Sequence, residues 1–391
     1  MGHKFKQDDL VTFENAAAGH EGVLSDAAGS AVIKPCTPAE VSFYGSALSS
    51  HPAFAAYMPT FMGTLELSQQ PDATGITPTA NSSAKTSIPV TAAGDTDTTV
   101  AVPLVVPEDV TKFPSSKADP AIPSVSVPST NSAPGGSSSS TTAADYGPAH
   151  GKQLASSLCI VLSNAAATFK RPNVLDLKLG ARLWDDAASA EKRARLDKVS
   201  EESTSSSLGF RIAGMKVWQG KGAVGFREGV DGEGYKVYGK MYGRNFNSDN
   251  VRDAFLEYLV SEGAGLDGSL TKVLANRLRK EVTGIREMLE REESRMVGAS
   301  ILVVVEGDGA VLKKVLEDER QQQQGHTKVA SHDDVDDDDD DEEEEEKPKA
   351  HEVKMIDFAH ARWTPGKGPD ENALQGVRSI ERILTELEGR A

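Results

Sequence analysis

The sequence predicts an α+β fold, and three observations carry that prediction. Strand-like segments recur. Pro172–Gly180 alternates Val174, Asp176, Lys178 and Gly180 with Leu175, Leu177 and Leu179, while Leu158–Leu162, Ala299–Val305 and Val353–Phe358 are short apolar runs. Helical periodicity recurs beside them. Val251, Phe255, Leu256 and Leu259 form a stripe in Asn250–Val260, and Val273, Leu274, Leu278, Val282, Ile285 and Leu289 form another in Leu270–Met296. Two low-complexity segments, residues 68–150 and 321–350, follow neither pattern and look unable to join a core. At 391 residues the chain is long enough for one large domain or for two lobes with a cleft between them.

Composition narrows the function classes. Hydrophobic residues make up 38%, a low share whose deficit lies in the two low-complexity segments. The formal net charge is −17, but Asp333–Glu346 alone holds thirteen acidic residues, and without them −4 remains. The foldable part is thus close to neutral, and overall charge says little about its ligand. Cys36 and Cys159 stand in no metal or redox spacing, which predicts a reducing compartment and no structural disulfide. Met1–Leu10 is polar, and no apolar span approaches the roughly 20 residues of a membrane helix, so a soluble intracellular protein without stable membrane insertion is expected. No His/Cys cluster suggests zinc, no Gly-x-x-x-x-Gly-Lys-Ser/Thr loop is present, and no basic reading helix suggests direct nucleic-acid binding.

Taken in order, Phe13–Pro35 holds Gly19, Gly22 and Gly29 and reads as a β-hairpin feeding a strand that carries Lys34. Thr37-Pro38 opens a helix, with a hydroxyl at the cap and proline at the first position. Glu40, Phe43, Tyr44, Ala47 and Leu48 follow at helical spacing, with Phe43, Tyr44 and Leu48 assigned to the core. Glu40 fits either a pair with Lys34 or a solvated first-turn position. His51-Pro52 and Tyr57–Leu65 read as a turn and then a strand, with His51 structural. Residues 68–150 are rich in Ser, Thr, Ala, Pro and Gly and cannot offset their ordering entropy, which predicts a disordered insertion with one apolar patch at Val100–Val106. Leu158–Leu162 is a buried strand, followed by Ser163–Ala165.

Beyond the central strand, Asp185 or Asp186 is expected to cap an Ala-rich helix. Lys192, Arg195 and Lys198 recur every three residues along it, which fits a solvated basic face. Ser203–Ser207 reads as a polar loop and Leu208–Trp218 as a strand whose Arg211 and Lys216 point outward. Lys240–Arg244 reads as a turn, and Glu306-Gly307-Asp308 as the turn that ends Ala299–Val305. Residues 321–350 hold a Gln run and the acidic tract, looping out between two strands. Trp363–Gly368 is a loop, and Asp370 caps a final helix reaching Leu387.

Two segments carry chemistry. Strand alternation sets Asp176 and Lys178 on one face, a carboxylate and an ammonium suited to holding nucleotide and orienting phosphate; the same pattern fits a half-buried strand with a surface ion pair. In Lys354–His360 an apolar run ends in Asp357, a common way to present a Mg²⁺ ligand beside a nucleotide phosphate.

With Pro172, Asp176, Lys178 and Gly180 spelling Pro-x-x-x-Asp-x-Lys-x-Gly, Ser207–Ile212 reading Ser-Leu-Gly-Phe-Arg-Ile, and Ile-Asp-Phe-Ala-His late in the chain, the sequence resembles the inositol polyphosphate kinase family. Within it, the likeness is to the fungal multikinases. The resemblance implies two lobes with ATP in the cleft. The smaller lobe, an antiparallel sheet and helix, would span residues 1–67 and 151–165; the larger α+β lobe would span 166–320 and 351–391. It implies transfer of the ATP γ-phosphate to hydroxyls of inositol tris- and tetrakisphosphates, with inositol hexakisphosphate or a phosphoinositide head group as alternative acceptors. Lys34 would clamp ATP phosphates, Ser163 and Ala165 would line the adenine hinge through backbone groups, and Asp357 would hold Mg²⁺, with Mn²⁺ as an alternative. The family usually has an acidic residue where Ser163 stands. Asp176 is left between a ribose ligand and a base, and Lys178 would bind the acceptor and stabilise the moving phosphoryl group. Lys192, Arg195, Lys240 and His360 would bind inositol or its phosphates. The resemblance also implies residence in nucleus and cytoplasm, and allows transcription factors or other basic proteins as partners of the acidic tract. The sequence itself carries no clear basic import signal.

Overall fold

Two five-stranded antiparallel sheets organise the computed structural model of the chain, which describes residues 10–13, 17, 22–67, 157–225, 229–326 and 347–390. Gly19, Val100–Val106 and the rest of the insertion expected at 68–150, and the acidic tract Asp333–Glu346, lie outside those residues. The first sheet contains β1 (Leu10–Thr12), β2 (Leu24–Asp26), β3 (Ala31–Pro35), β4 (Phe61–Glu66) and β5 (Leu158–Ser163), in the order β1-β2-β3-β5-β4. Asp26 shapes the β2–β3 hairpin by accepting from the Ser30 hydroxyl at 2.8 Å and the Ala31 N–H at 2.7 Å. Partial burial works against its charge, but these donors hold the carboxyl below its ordinary range. Between β3 and β4 run α1 (Pro38–Ser50) and α2 (Pro52–Ala55). The predicted cap is present: Thr37 accepts from the Glu40 N–H at 3.2 Å.

The second sheet contains β6 (Pro172–Leu179), β7 (Phe210–Trp218), β8 (Tyr235–Tyr238), β10 (Ser300–Glu306) and β11 (His351–Ile356), ordered β11-β10-β6-β7-β8; β9 (Ser294–Met296) pairs instead with β12 (Ala361–Trp363). Its helices are α3 (Ala190–Glu201), α4 (Thr204–Leu208), α5 (Lys240–Gly243), α6 (Val251–Leu259), α7 (Gly268–Arg291), α8 (Gly309–His326) and α9 (Glu371–Arg390). Leu175, Leu177 and Leu179 of β6, with Ile212 and Met215 of β7 and Ile301 and Val303 of β10, join one buried core with the apolar stripes of α6, α7 and α9. That packing covers one face of the sheet. The other face is left for the site.

Several expectations need correction. Leu48 is 51% exposed and Val273 39% exposed, against their assignment to apolar stripes. At about 100° per residue, Leu48 lies about 40° beyond Tyr44, past the packed stripe of α1, and Val273 falls on the far side of α7 from Leu274, Leu278 and Ile285. The cap of α3 is Ser189, which accepts from the Lys192 N–H at 3.2 Å, because the helix starts later than Asp185 or Asp186 would allow. Ser203–Ser207 is largely helical: Ser203 caps α4 and Gly209, at φ 71°, ends it, so the strand begins at Phe210. Lys240–Arg244 is a short helix rather than a turn. The helix expected to reach Met296 stops at Arg291, and Ser294–Met296 pairs with Ala361–Trp363, drawing Trp363 out of the predicted loop. The Gln run continues α8 to His326, as glutamine's helix propensity permits.

Candidate active site

Asp176 sits on the open face of β6, between Leu302 of β10 and Gly214 of β7, and Leu302 is in turn the partner of Lys354 on β11. The site therefore spans neighbouring strands, and Asp176 is only 2% exposed within it. Asp357 follows β11 directly and takes φ 68°, the one non-glycine residue among those described in the left-handed region. This conformation costs an ordinary residue about 1–2 kcal/mol and marks sites where neighbours over-determine the backbone. The next residue is Phe358. It is fully buried, stacked on Phe43 at 5.1 Å and edge-on to Tyr44 and Phe54 at 5.5 and 5.8 Å.

The Asp357 carboxylate receives two lysines from different sheets. Lys34 of β3 donates to Oδ1 at 2.8 Å, and Lys178 of β6 donates to Oδ2 at 3.2 Å. Lys34 also donates to Glu40 at 3.1 Å, so Glu40 takes the first of its two predicted roles. Burial works against the Lys34 charge, but the carboxylates of Asp357 and Glu40 more than offset it and hold the ammonium above its ordinary value. Lys178 is further fixed by donating to the Gly298 carbonyl at 2.8 Å.

Above this polar floor opens a cleft of about 110 Å³ between the sheets. Val23, Val32, Leu162, Val174, Leu302 and Val304 line its apolar part, Lys34, Asp176 and Asp357 its polar part, and Ser163, Asn164 and Ala165 its rim. A flat apolar slot ending in cations and carboxylates suits a purine nucleotide with its phosphates at the polar end. The Ser163 N–H donates to the Thr60 carbonyl at 2.9 Å and its hydroxyl accepts from the Thr60 N–H at 2.9 Å, so both are already engaged in closing the sheet. Asn164 shapes this rim, donating to the Gly29 carbonyl at 2.7 Å and accepting from the Ala166 N–H at 2.9 Å.

The residues present fit a divalent cation. The two ammonium groups around Asp357 occupy positions that a hard cation and nucleotide phosphates would contest, and Asp176 lines the same cleft. Among the described residues no three His, Cys, Asp or Glu gather into a metal cluster. An ion here would draw on one or two carboxylates plus phosphate oxygens, the habit of Mg²⁺.

The other predicted contacts lie farther out. His360 meets Asp185 at 2.9 Å, and Arg362 meets Asp186 at 3.4 Å, which brings the segment after Asp357 against the loop leading into α3. Lys192, Arg195 and Lys198 lie on the exposed side of α3, with Lys198 paired to Glu202 at 3.6 Å. Lys240 is exposed at the start of α5. Arg211 departs from its reading as outward strand charge: it is partly buried and its Nη1 donates to Ser205 Oγ at 3.2 Å. The signal was present in the alternation of β7, which carries Arg211 to the same row as Lys178. Arg244, near enough for its charge to act on Arg211, had no sequence signal beyond the turn it ends.

Comparison with known proteins points to one family. A family model described as inositol polyphosphate kinase matches residues 159–385. The inositol polyphosphate multikinase of Saccharomyces cerevisiae is 32% identical over 401 residues, covering 96% of this chain and 97% of that protein. Inositol hexakisphosphate kinase 1 of Rattus norvegicus is 31% identical over 236 residues, covering 58% of this chain and 51% of that protein. Among solved structures, the inositol phosphate multikinase Ipk2 of S. cerevisiae, in complex with ADP and Mn²⁺, matches 92% of this chain and 99% of its own at 25% identity and a TM-score of 0.52. The chain belongs to the inositol polyphosphate kinase family.

Proposed function

We propose that the protein transfers the γ-phosphate of ATP to hydroxyls of inositol tris- and tetrakisphosphates, with Mg²⁺ as the divalent ion. One observation carries this reading: Asp357 joins Lys34 of one sheet to Lys178 of the other beside Asp176, at the polar end of the cleft between the sheets. In the transfer, an acceptor hydroxyl oxygen bonds to the γ-phosphorus as the bond to the β–γ bridging oxygen breaks. ADP leaves with the electron pair, and the hydroxyl proton is released. A divalent ion held by Asp357 would neutralise phosphate charge. Lys34 binds the nucleotide phosphates with Glu40 fixing its position, and Lys178 stabilises the moving group from the acceptor side. Asp176 acts either on the nucleotide ribose or as the base that takes the hydroxyl proton. Lys192, Arg195, Lys240 and His360 recruit acceptor phosphates on the outer side.

The test is a panel of inositol tris-, tetrakis- and hexakisphosphates and a phosphoinositide head group, each incubated with pure protein and labelled ATP. Asp176→Asn and Asp357→Asn are run beside the wild type. We expect turnover on the tris- and tetrakisphosphates and near-complete loss in both variants with unchanged circular dichroism. A raised KM for ATP in Asp176→Asn assigns the ribose role, and a pure kcat loss the base. Turnover confined to the hexakisphosphate or the lipid head group would overturn the acceptor assignment. Undiminished transfer by Asp357→Asn would remove the proposed metal ligand. The acidic tract is proposed to recruit basic proteins in the nucleus and cytoplasm, a role separate from the chemistry.

A further inference from the structure

Arg211 of β7 is the direct cross-strand partner of Lys178 of β6. Like charges placed opposite each other on one sheet face repel, and here Asp357 at 3.2 Å from Lys178 and the charge of Asp176 on Arg211 balance part of that repulsion. Arg211 cannot simply swing into water, because its Nη1 is tied at 3.2 Å to the hydroxyl of Ser205, which is fully buried in α4. A third cation is set beside it. Gly243 lets α5 press directly on β7, where a Cβ at that position would fall 2.1 Å from the Ile212 carbonyl oxygen, and the next residue is Arg244. Burial holds the Arg211 guanidinium below its ordinary value; the Asp176 charge opposes this, and the Arg244 charge adds to it by a smaller amount. Arg211 and Arg244 thus lie on the β7 side of Asp176, next to the Lys178 position on β6, while the Lys178 ammonium itself turns to Asp357 at the end of β11. Arginine suits such a place because its planar fork matches phosphate oxygens two at a time.

We propose that Arg211 and Arg244 form a phosphate subsite next to Lys178 that takes one ring phosphate of the acceptor. This rests on the reading of the cleft as an inositol polyphosphate kinase site. It adds a class of contact to that site: two half-buried guanidinium groups, distinct from the exposed lysines of α3.

The test compares wild type with Arg211→Gln, Arg244→Gln and Arg211→Lys in two arms. Steady-state kinetics give KM for ATP and for an inositol trisphosphate, and calorimetry gives the affinities of ADP with Mg²⁺ and of the same trisphosphate in the presence of ADP. Each Gln variant is expected to raise the acceptor KM and Kd about tenfold or more, the size of a lost charge-assisted hydrogen bond. ATP KM and ADP affinity stay within about twofold of wild type, and Arg211→Lys recovers part of the loss, as a point charge lacking the fork should. Unchanged acceptor affinity in both Gln variants overturns the proposal. So does a parallel fall in ADP affinity, which would make the arginines general supports of the fold. The two readings separate at the wild type. Trisphosphate binding that needs Arg211 but yields no turnover sinks the kinase reading and keeps the subsite, whereas absence of both binding and turnover sinks both.

Discussion

At the scale of single residues, Asp357 combines a strained backbone with the heaviest electrostatic duty in the site. Comparing Asp357→Gly with Asp357→Ala separates these. Both lose the carboxylate and strand the same two lysines, but only alanine keeps the left-handed strain of φ 68°. The glycine variant should be the more stable of the two by about 1 kcal/mol in urea titrations, and both should be inactive. An alanine variant at least as stable as the glycine one would mean the backbone there carries no strain. Lys34 supports a pH prediction. Its ammonium is held above the usual lysine value of 10.5, so its contribution is complete below that value and fades only as pH rises through the higher folded one. Lys34→Met should therefore cost the same stability at about pH 6 and about pH 9; a cost that shrank across that interval would contradict the pairing with Asp357 and Glu40. Asp176, Lys178 and Asp357 stood out in the sequence because strand alternation and a strand-ending aspartate are local patterns, whereas Lys34 was singled out only through the family resemblance. Arg244 and Asn164 were not. Their places depend on which turn presses against which strand, and no local period encodes that.

At the scale of elements, close backbone approach decides where helices sit. Gly376 of α9 meets Gly209, the residue that ends α4, so closely that a Cβ on Gly376 would lie 2.3 Å from the Gly209 carbonyl oxygen. Neither backbone can yield without lifting α9 from β6 and β7. Gly376→Ala should then destabilise by about 1–3 kcal/mol, the range of an overpacked core, against the small gain alanine brings to an open helix. Thermal unfolding checks this, and a neutral or stabilising outcome would show that the two elements are not in contact there. The strands and long helices were readable because each buries one face, giving periods of two or 3.6. Boundaries went astray where polarity was mistaken for loop. Ser203–Ser207 and the Gln run are polar yet helical, because a serine cap starts α4 and glutamine propensity extends α8. Leu48 and Val273 erred the other way, since an apolar residue off the stripe is free to face water.

At the scale of the whole molecule, aromatic and ionic contacts tie α1 to the β9–β12 pair and the end of α7. Trp363 of β12 stacks on His51 at 3.6 Å and on Phe43 at 4.5 Å, and His51 meets Glu292 at 2.6 Å. These hold α1, and with it Glu40 and Lys34, against the Asp357 side. Charge works against the same machinery from a distance. Both substrates in the proposed reaction are polyanions, yet the chain carries a net −17, thirteen units of it in Asp333–Glu346. Long-range repulsion slows encounter of like charges and is screened over about 8 Å at physiological ionic strength. Because α8 runs to His326 and β11 starts at His351, a deletion confined to residues 333–346 spares both elements, whereas cutting from Gln321 would remove helix. That shorter deletion should leave kcat and thermal stability unchanged, and should lower the acceptor KM about two- to threefold at low salt, an advantage that vanishes near 0.15 M. Initial rates across a salt series give the answer. A large fall in kcat would instead place the tract in the mechanism, and a salt-independent KM would mean that its charge does not reach the cleft.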